Sequence, residues 1–193
     1  MTEKLYFATS NENKFNEVSN ILSNYGVHVD VAKLELVEIQ SNDLTVIASE
    51  KARNAYRALN TDVIIEDDGL FIDSLKGFPG PYSAFVLKTI GNEGILKLIE
   101  GVADRRATFK SIIAYCDSSL IPVIFVGKVD GTITETQRGR SWGYDPIFMP
   151  KDSDGLTYAE LGSKKNDLSH RSLALEQFAK WYTGMISDKH TQL

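Results

Sequence analysis

Cysteine is nearly absent: Cys116 stands alone among 193 residues. No disulfide can form within the chain, and no cysteine-based zinc site can be assembled. Long apolar runs are missing too. The longest, such as Leu120 to Val126, fall far short of the roughly 20 residues that span a bilayer. The start (Met1-Thr2-Glu3-Lys4) leads straight into a strand-like run with no basic segment followed by an apolar one, so no signal peptide is expected. The expected location is cytoplasmic, with no membrane partner. An excess of positive charge is also lacking. Lys plus Arg is 21 against 26 Asp plus Glu, a net of −5, which argues against a nucleic-acid coat. An anionic small molecule remains possible if cations gather locally or a metal joins them.

Several motifs are missing as well. Gly127-Lys128 is followed by Val129, so no phosphate-binding Walker loop exists. No G-x-G-x-x-G follows a strand, and the three histidines, His28, His170 and His190, lack H-E-x-x-H spacing. Gly139-Arg140-Ser141-Trp142-Gly143 matches the G-x-S-x-G elbow of α/β-hydrolases, with Asp145 and His170 following in order. That elbow must run directly into a helix, and Pro146 pushes Asp145 out of helical backbone. A serine hydrolase is therefore set aside.

What is present is an ordinary globular profile: 42% hydrophobic and 24% charged residues, too apolar for disorder. The length suits one domain over 1–193, the last ten or so residues forming a frayed tail. Hydrophobic spacing predicts a strand over 4–8, a helix through Phe15, Val18, Ile21, Leu22 and Tyr25 ended by Gly26, and a strand over 27–32. A helix over about 44–59 is capped by Asn42 or Asp43. Short strands follow at 63–65 and 69–72, then a turn-rich loop over 76–82. Asn92 caps a helix to about Glu100. Residues 107–115, 121–126 and 128–134 look like a β-meander. An irregular loop holds a short strand over 139–150, and Ser169 caps a helix to about Tyr182. Early β-α alternation followed by a meander gives an α/β or α+β fold on a mixed sheet.

Four segments carry chemistry. Thr9-Ser10-Asn11-Glu12-Asn13-Lys14 joins a strand to a helix. It is either an ordinary helix cap or a cradle for an anion, with Lys14 adding charge. Glu66-Asp67-Asp68 ends a buried strand, where adjacent carboxylates repel and have poor strand propensity. Such hard oxygen donors suit Mg²⁺ bridged to phosphates, with Glu38 a further candidate ligand or a solvated glutamate. In Ser141-Trp142-Gly143-Tyr144-Asp145-Pro146, glycine beside aromatics either presents a ring face to a planar base or packs a core under a turn. Lys164-Lys165-Asn166-Asp167-Leu168-Ser169-His170-Arg171 puts cations in a first helical turn, against the helix dipole. It reads as a solvated basic turn or as a site where an anion or base edge compensates that placement.

Taken in order, 9–14, 66–84, 142–148 and 165–171 resemble the inosine/xanthosine triphosphate pyrophosphatase family over nearly the whole chain. The resemblance implies a homodimeric α/β protein. Its elongated mixed twisted sheet would be flanked by helices, with two lobes and an active site in the cleft between them. It implies Mg²⁺-dependent hydrolysis of ITP, XTP and dITP to the monophosphate and pyrophosphate. By position, Ser10, Asn11 and Lys14, with Thr9 beside them, would hold the triphosphate, and Lys51 would contact substrate. Asp67 would be metal ligand and proton acceptor, with Glu38 the second ligand. Trp142 would stack on the base, Gly143, Tyr144 and Asp145 would complete its loop, and Lys165, His170 and Arg171 would complete the base pocket. Asp68 stands at a substrate-contacting position where the family usually has Ser or Thr. The rival expectations are a pyrophosphatase for pyrimidine or other modified triphosphates and a non-catalytic nucleotide-binding module.

Overall fold

The computed structural model describes residues 4–191, with side chains to 187. The expectation about the extreme N-terminus falls on residues 1–3 and lies outside the described residues. Among the described residues no helix is long and apolar enough to cross a membrane.

Seven strands form one mixed sheet in the order β2-β1-β3-β5-β6-β7, with β4 pairing β3 off that path. They are β1 Tyr6–Ala8, β2 Asp30–Ala32, β3 Val63–Ile72, β4 Pro79–Gly80, β5 Arg106–Cys116, β6 Val123–Ile133 and β7 Phe148–Pro150. The helices are α1 Glu12–Ser23, α2 Leu44–Leu59, α3 Ser83–Thr89, α4 Gly91–Leu98, α5 Tyr158–Leu161 and α6 His170–Thr191. β1 runs parallel to both β2 and β3, whereas β4 and β7 pair antiparallel with β3 and β6. The α/β expectation on a mixed sheet holds.

The chain forms two compact units. Unit one comprises Met1–Asp67, Ile112–Gly127 and Arg171–Leu193; unit two comprises Asp68–Ser111 and Lys128–His170. Unit one has its own core, in which Phe7 and Ile64 meet Val18 and Leu22 of α1 and Ala174, Leu175 and Phe178 of α6. The α6 residues lie at helical spacing on one face, and burial of a side chain like Phe178 stabilises by about 1.5–3 kcal/mol. Unit two packs Leu70, Ile72, Ile95, Phe109, Ile147, Phe148 and Tyr158 together.

Differences from the sequence reading have physical causes. β3 is one ten-residue strand, not two, and runs through Glu66-Asp67-Asp68, because cations described below offset the carboxylate repulsion. β6 passes unbroken through buried Gly127, where two strands were expected. Only residues 30–32 of the 27–32 segment pair as a strand. The 91–98 helix begins at Gly91 without a side-chain cap, so Asn92 is not its cap. α3 and α5 were not foreseen, although Thr157 and Glu160 form a capping box at α5. α6 continues to Thr191, nine residues past the expected end and into the segment expected to be a frayed tail.

Candidate active site

Unit one gathers opposite charges around Glu66 and Asp67, midway along β3. The turn after β1 is closed locally. Asn11 caps α1, its side chain accepting from the backbone N–H groups of Asn13 at 3.0 Å and Lys14 at 3.2 Å. The Asn11 N–H donates to Thr9 Oγ1 at 3.1 Å. Ser10 is exposed beside them. The cap is therefore real, and it delivers Lys14 one turn into the helix. Lys14 Nζ lies 2.8 Å from Glu66 Oε2. The other Glu66 oxygen lies 3.2 Å from Arg171 Nε, and Arg171 also pairs with Glu17. Glu66 and Arg171 are fully enclosed, their side chains 0% and 1% exposed. A buried charge needs a partner on this scale of proximity. Placed in the base pocket by sequence, Arg171 presents its guanidinium to two carboxylates of unit one. Glu17 is a site-shaping residue that the sequence reading missed, and Glu66, singled out there as an oxygen donor of the acidic run, pairs with cations.

Asp67 points to the other side of the strand, as strand alternation requires. Its Oδ1 accepts from Lys51 Nζ at 2.9 Å, and the same ammonium donates to Glu38 Oε1 at 2.6 Å. Asp43, which caps α2 through Thr45 N–H at 2.8 Å, sets the phase that aims Lys51. Burial pushes the Asp67 carboxyl up, and although Lys51 and Lys14 pull it down, it stays above the ordinary carboxylate value. Lys51 is pulled down by burial but ends raised, because Asp67 and Glu38 hold its proton. Asp67 Oδ2 is buried and has no hydrogen-bond partner among the described residues.

Unit two gathers aromatics and one buried ion pair. Lys165 Nζ lies 2.8 Å from Asp145 Oδ2, each side chain only 6% exposed. Ser141 Oγ donates to that same Oδ2 at 2.9 Å. The Lys165 ammonium also sits 5.0 Å from the Trp142 ring centroid and 5.5 Å from that of Tyr158, within cation–π range. Trp142 is half-buried. Gly143 adopts φ +67, a left-handed conformation suited to glycine, and its carbonyl accepts from Asn92 Nδ2 at 3.0 Å. Tyr144 is buried in the core, its hydroxyl donating to the Ser83 carbonyl at 2.8 Å. That is the packing role left open for it by sequence. His170 is 2% exposed and stacks on Phe109, ring centroids 4.2 Å apart and planes within 9°. Asp68 Oδ2 lies 3.9 Å from His170 Nε2. Phe109 carried no sequence signal beyond strand alternation.

An open mixed α/β sheet with paired carboxylates and lysines midway along one strand, and an aromatic-cationic cluster besides, defines the class of protein. The family model described as "Ham1 family" matches residues 5–181. A dITP/XTP pyrophosphatase of Methanopyrus kandleri is 48% identical over 188 residues, covering 96% of this chain and all of that protein. One of Methanosarcina mazei is 43% identical over 183 residues, covering 94% of this chain and 98% of that protein. Among solved structures, a HAM1 protein from Coxiella burnetii aligns with TM-score 0.83 and 28% identity over 95% of this chain and all of its own. The Staphylococcus aureus Ham1 protein aligns with TM-score 0.80 at the same identity and coverage. The chain belongs to the Ham1 family.

Proposed function

We propose that this chain hydrolyses deaminated purine nucleoside triphosphates, namely ITP, XTP and dITP, to the monophosphate and pyrophosphate. The observation that carries the reading is Asp67, a buried carboxyl raised above its ordinary value and held against Lys51. It is joined by 48% identity to a dITP/XTP pyrophosphatase along almost the entire chain. The phosphate chemistry falls to unit-one residues. Asp67 orients a water and takes its proton as the water oxygen bonds to the α-phosphorus. The bond from the α-phosphorus to the bridging oxygen breaks, and pyrophosphate leaves with the electron pair. Lys14 and Lys51 offset the charge on the departing group. No protein nucleophile is needed.

Mg²⁺ belongs to the same reading. Asp67 Oδ2 is a buried oxygen in need of a partner, and Glu38 is drawn toward Asp67 by a shared ammonium. Among the described residues no cluster of three or more His, Cys, Asp or Glu could hold a metal. One or two carboxylates, with water and phosphate oxygens completing the shell, is the habit of Mg²⁺. Glu38 and Asp67 would hold the ion, which when bound neutralises phosphate charge.

Base binding falls to Trp142, and base choice to Lys165 and His170. Stacking on Trp142 serves any purine. Choice then comes from hydrogen bonds at the position-six edge, where hypoxanthine and xanthine carry an acceptor oxygen and adenine a donor amino group. Donors built for the oxygen leave adenine unpaired, at about 1–3 kcal/mol for each mismatch. Guanine shares the oxygen, so its two-amino group must be rejected separately. The homodimer and the cytoplasmic setting also belong to this reading; sedimentation at micromolar concentration should give about twice the 21.5 kDa chain mass. The deciding experiment is pyrophosphate release with Mg²⁺ from ITP, XTP, dITP, ATP, GTP and UTP. ATP and GTP should be poorer in kcat/KM by at least about a hundredfold. Equal cleavage of ATP and ITP would replace the reading with a general nucleotide pyrophosphatase. Absence of release from every nucleotide would leave a binding module.

A further inference from the structure

Asp68 is the residue whose chemistry fits a triphosphate least, because a further carboxylate repels phosphate. On β3 it follows Asp67 and so projects from the opposite face of the strand. Its carboxylate sits 3.9 Å from Nε2 of the buried His170. The same negative charge reaches Tyr144, whose phenol is pushed up first by burial and then by Asp68. The flat face of His170 is already fixed by Phe109, parallel at 4.2 Å, and Tyr158 flanks the ring at 5.8 Å. Stacking fixes the plane of the imidazole but does not choose which ring nitrogen carries the proton. A carboxylate 3.9 Å from Nε2 acts through its charge, favouring a proton on that nearer nitrogen and so defining the donor edge of the ring. Gly69, next in the chain, keeps this geometry tight. A Cβ there would lie 2.6 Å from the Gly80 carbonyl oxygen, so β3 is pinned against β4 immediately beside Asp68.

We infer that Asp68 is a positioning residue that orients His170 for recognition of the purine base and does not itself contact substrate or metal. Phe109 supplies the face and Asp68 the edge of the same clamp. The inference rests on the proposed nucleotide hydrolysis for its biological meaning, since His170 needs a base to read. It assigns the extra carboxylate to the choice of base, where a substrate-phosphate or Mg²⁺ role would assign it to turnover.

The test is a double-mutant cycle of Asp68→Asn and His170→Gln, with Asp68→Ser as a second Asp68 variant. Steady-state kinetics with ITP and ATP are measured across a Mg²⁺ titration. Asp68→Asn and Asp68→Ser should each narrow the ITP-over-ATP ratio of kcat/KM by about tenfold, with more of the change in KM for ITP than in kcat. The Mg²⁺ concentration for half-maximal rate should not move. In the His170→Gln background, Asp68→Asn should add less than about a twofold further change. Full additivity of the two substitutions would overturn the inference. So would an unchanged ITP-over-ATP ratio accompanied by a raised Mg²⁺ requirement, or loss of folding in both Asp68 variants. A wild-type chain that releases no pyrophosphate contradicts the proposed activity instead. The same cycle read by calorimetric binding of IMP and AMP to the metal-free protein then still decides the role of Asp68.

Discussion

The two charged clusters solve the problem of burial in opposite ways. In unit one, Glu66 and Arg171 are buried as a chain of alternating signs: Lys14, Glu66, Arg171, Glu17. In unit two a single pair, Lys165 with Asp145, is buried among rings, with Trp142 and Tyr158 against the ammonium. The first arrangement holds many charges close together, as phosphate chemistry requires. The second keeps one charge dry beside flat surfaces, as reading a planar base requires. Charge density and aromatic enclosure are thus separated along the chain, and two of the boundaries between the units, Asp67–Asp68 and His170–Arg171, fall inside the segments that carry them.

Because the unit-two pair is buried, breaking it should be the most damaging change. Lys165→Met leaves the Asp145 carboxylate buried without its ammonium, with Ser141 Oγ still donating to it. It should lower stability by about 3–5 kcal/mol, read by urea unfolding. A loss under about 1 kcal/mol would show that the pair is solvated and the contrast unsound. In unit one the effect should fall on turnover. Asp67→Asn should cut the rate of pyrophosphate release at least about a hundredfold while calorimetry shows ITP still bound. Near-normal turnover would remove Asp67 from the chemistry. Trp142→Ala should weaken ITP, XTP and ATP together by about 1–3 kcal/mol, the worth of one stacked base. A loss confined to ITP would move base choice onto the stacking ring.

A smaller effect sharpens the electrostatics. The Asp67 carboxyl is raised by burial and held down in part by Lys51 and Lys14. In the metal-free protein, carbon-detected NMR should therefore show Asp67 titrating above the ordinary 3.8. The base form is lost as pH falls through that raised value, so an acid limb of kcat/KM set by Asp67 of the free enzyme should lie above 3.8. Lys51→Met removes a cation that lowers the value, so both the titration and the limb should move further up in pH. A downward move would mean that Lys51 does not face Asp67.

Much of unit one is legible in the sequence, because its features are local. Asn11 and Asp43 cap helices within four residues of themselves, and helical spacing placed the buried face of α1. Lys14 and Lys51 sit on those helices. What could not be read was long-range. Glu17 and Arg171 are 154 residues apart, and nothing in either neighbourhood pairs them. β3 was expected to break at its acidic run, because β propensity sees the repulsion and not the cations delivered by α1, α2 and α6. In unit two, Trp142, Lys165 and His170 were singled out by residue type. Phe109 looked like any inward residue of a strand, and the contact of Asp68 with His170 spans some hundred residues of chain.

The contrast between the two clusters rests on one claim: unit-one charges cleave and unit-two groups choose. The most direct measurement is pyrophosphate release from ITP and ATP by wild type, Asp67→Asn and Trp142→Ala under one Mg²⁺ concentration. The account predicts that Asp67→Asn lowers both rates and leaves their ratio within about threefold of wild type, while Trp142→Ala raises KM for both nucleotides with a far smaller loss of kcat. A changed ITP-over-ATP ratio in Asp67→Asn, or a hundredfold loss of kcat in Trp142→Ala, would contradict it.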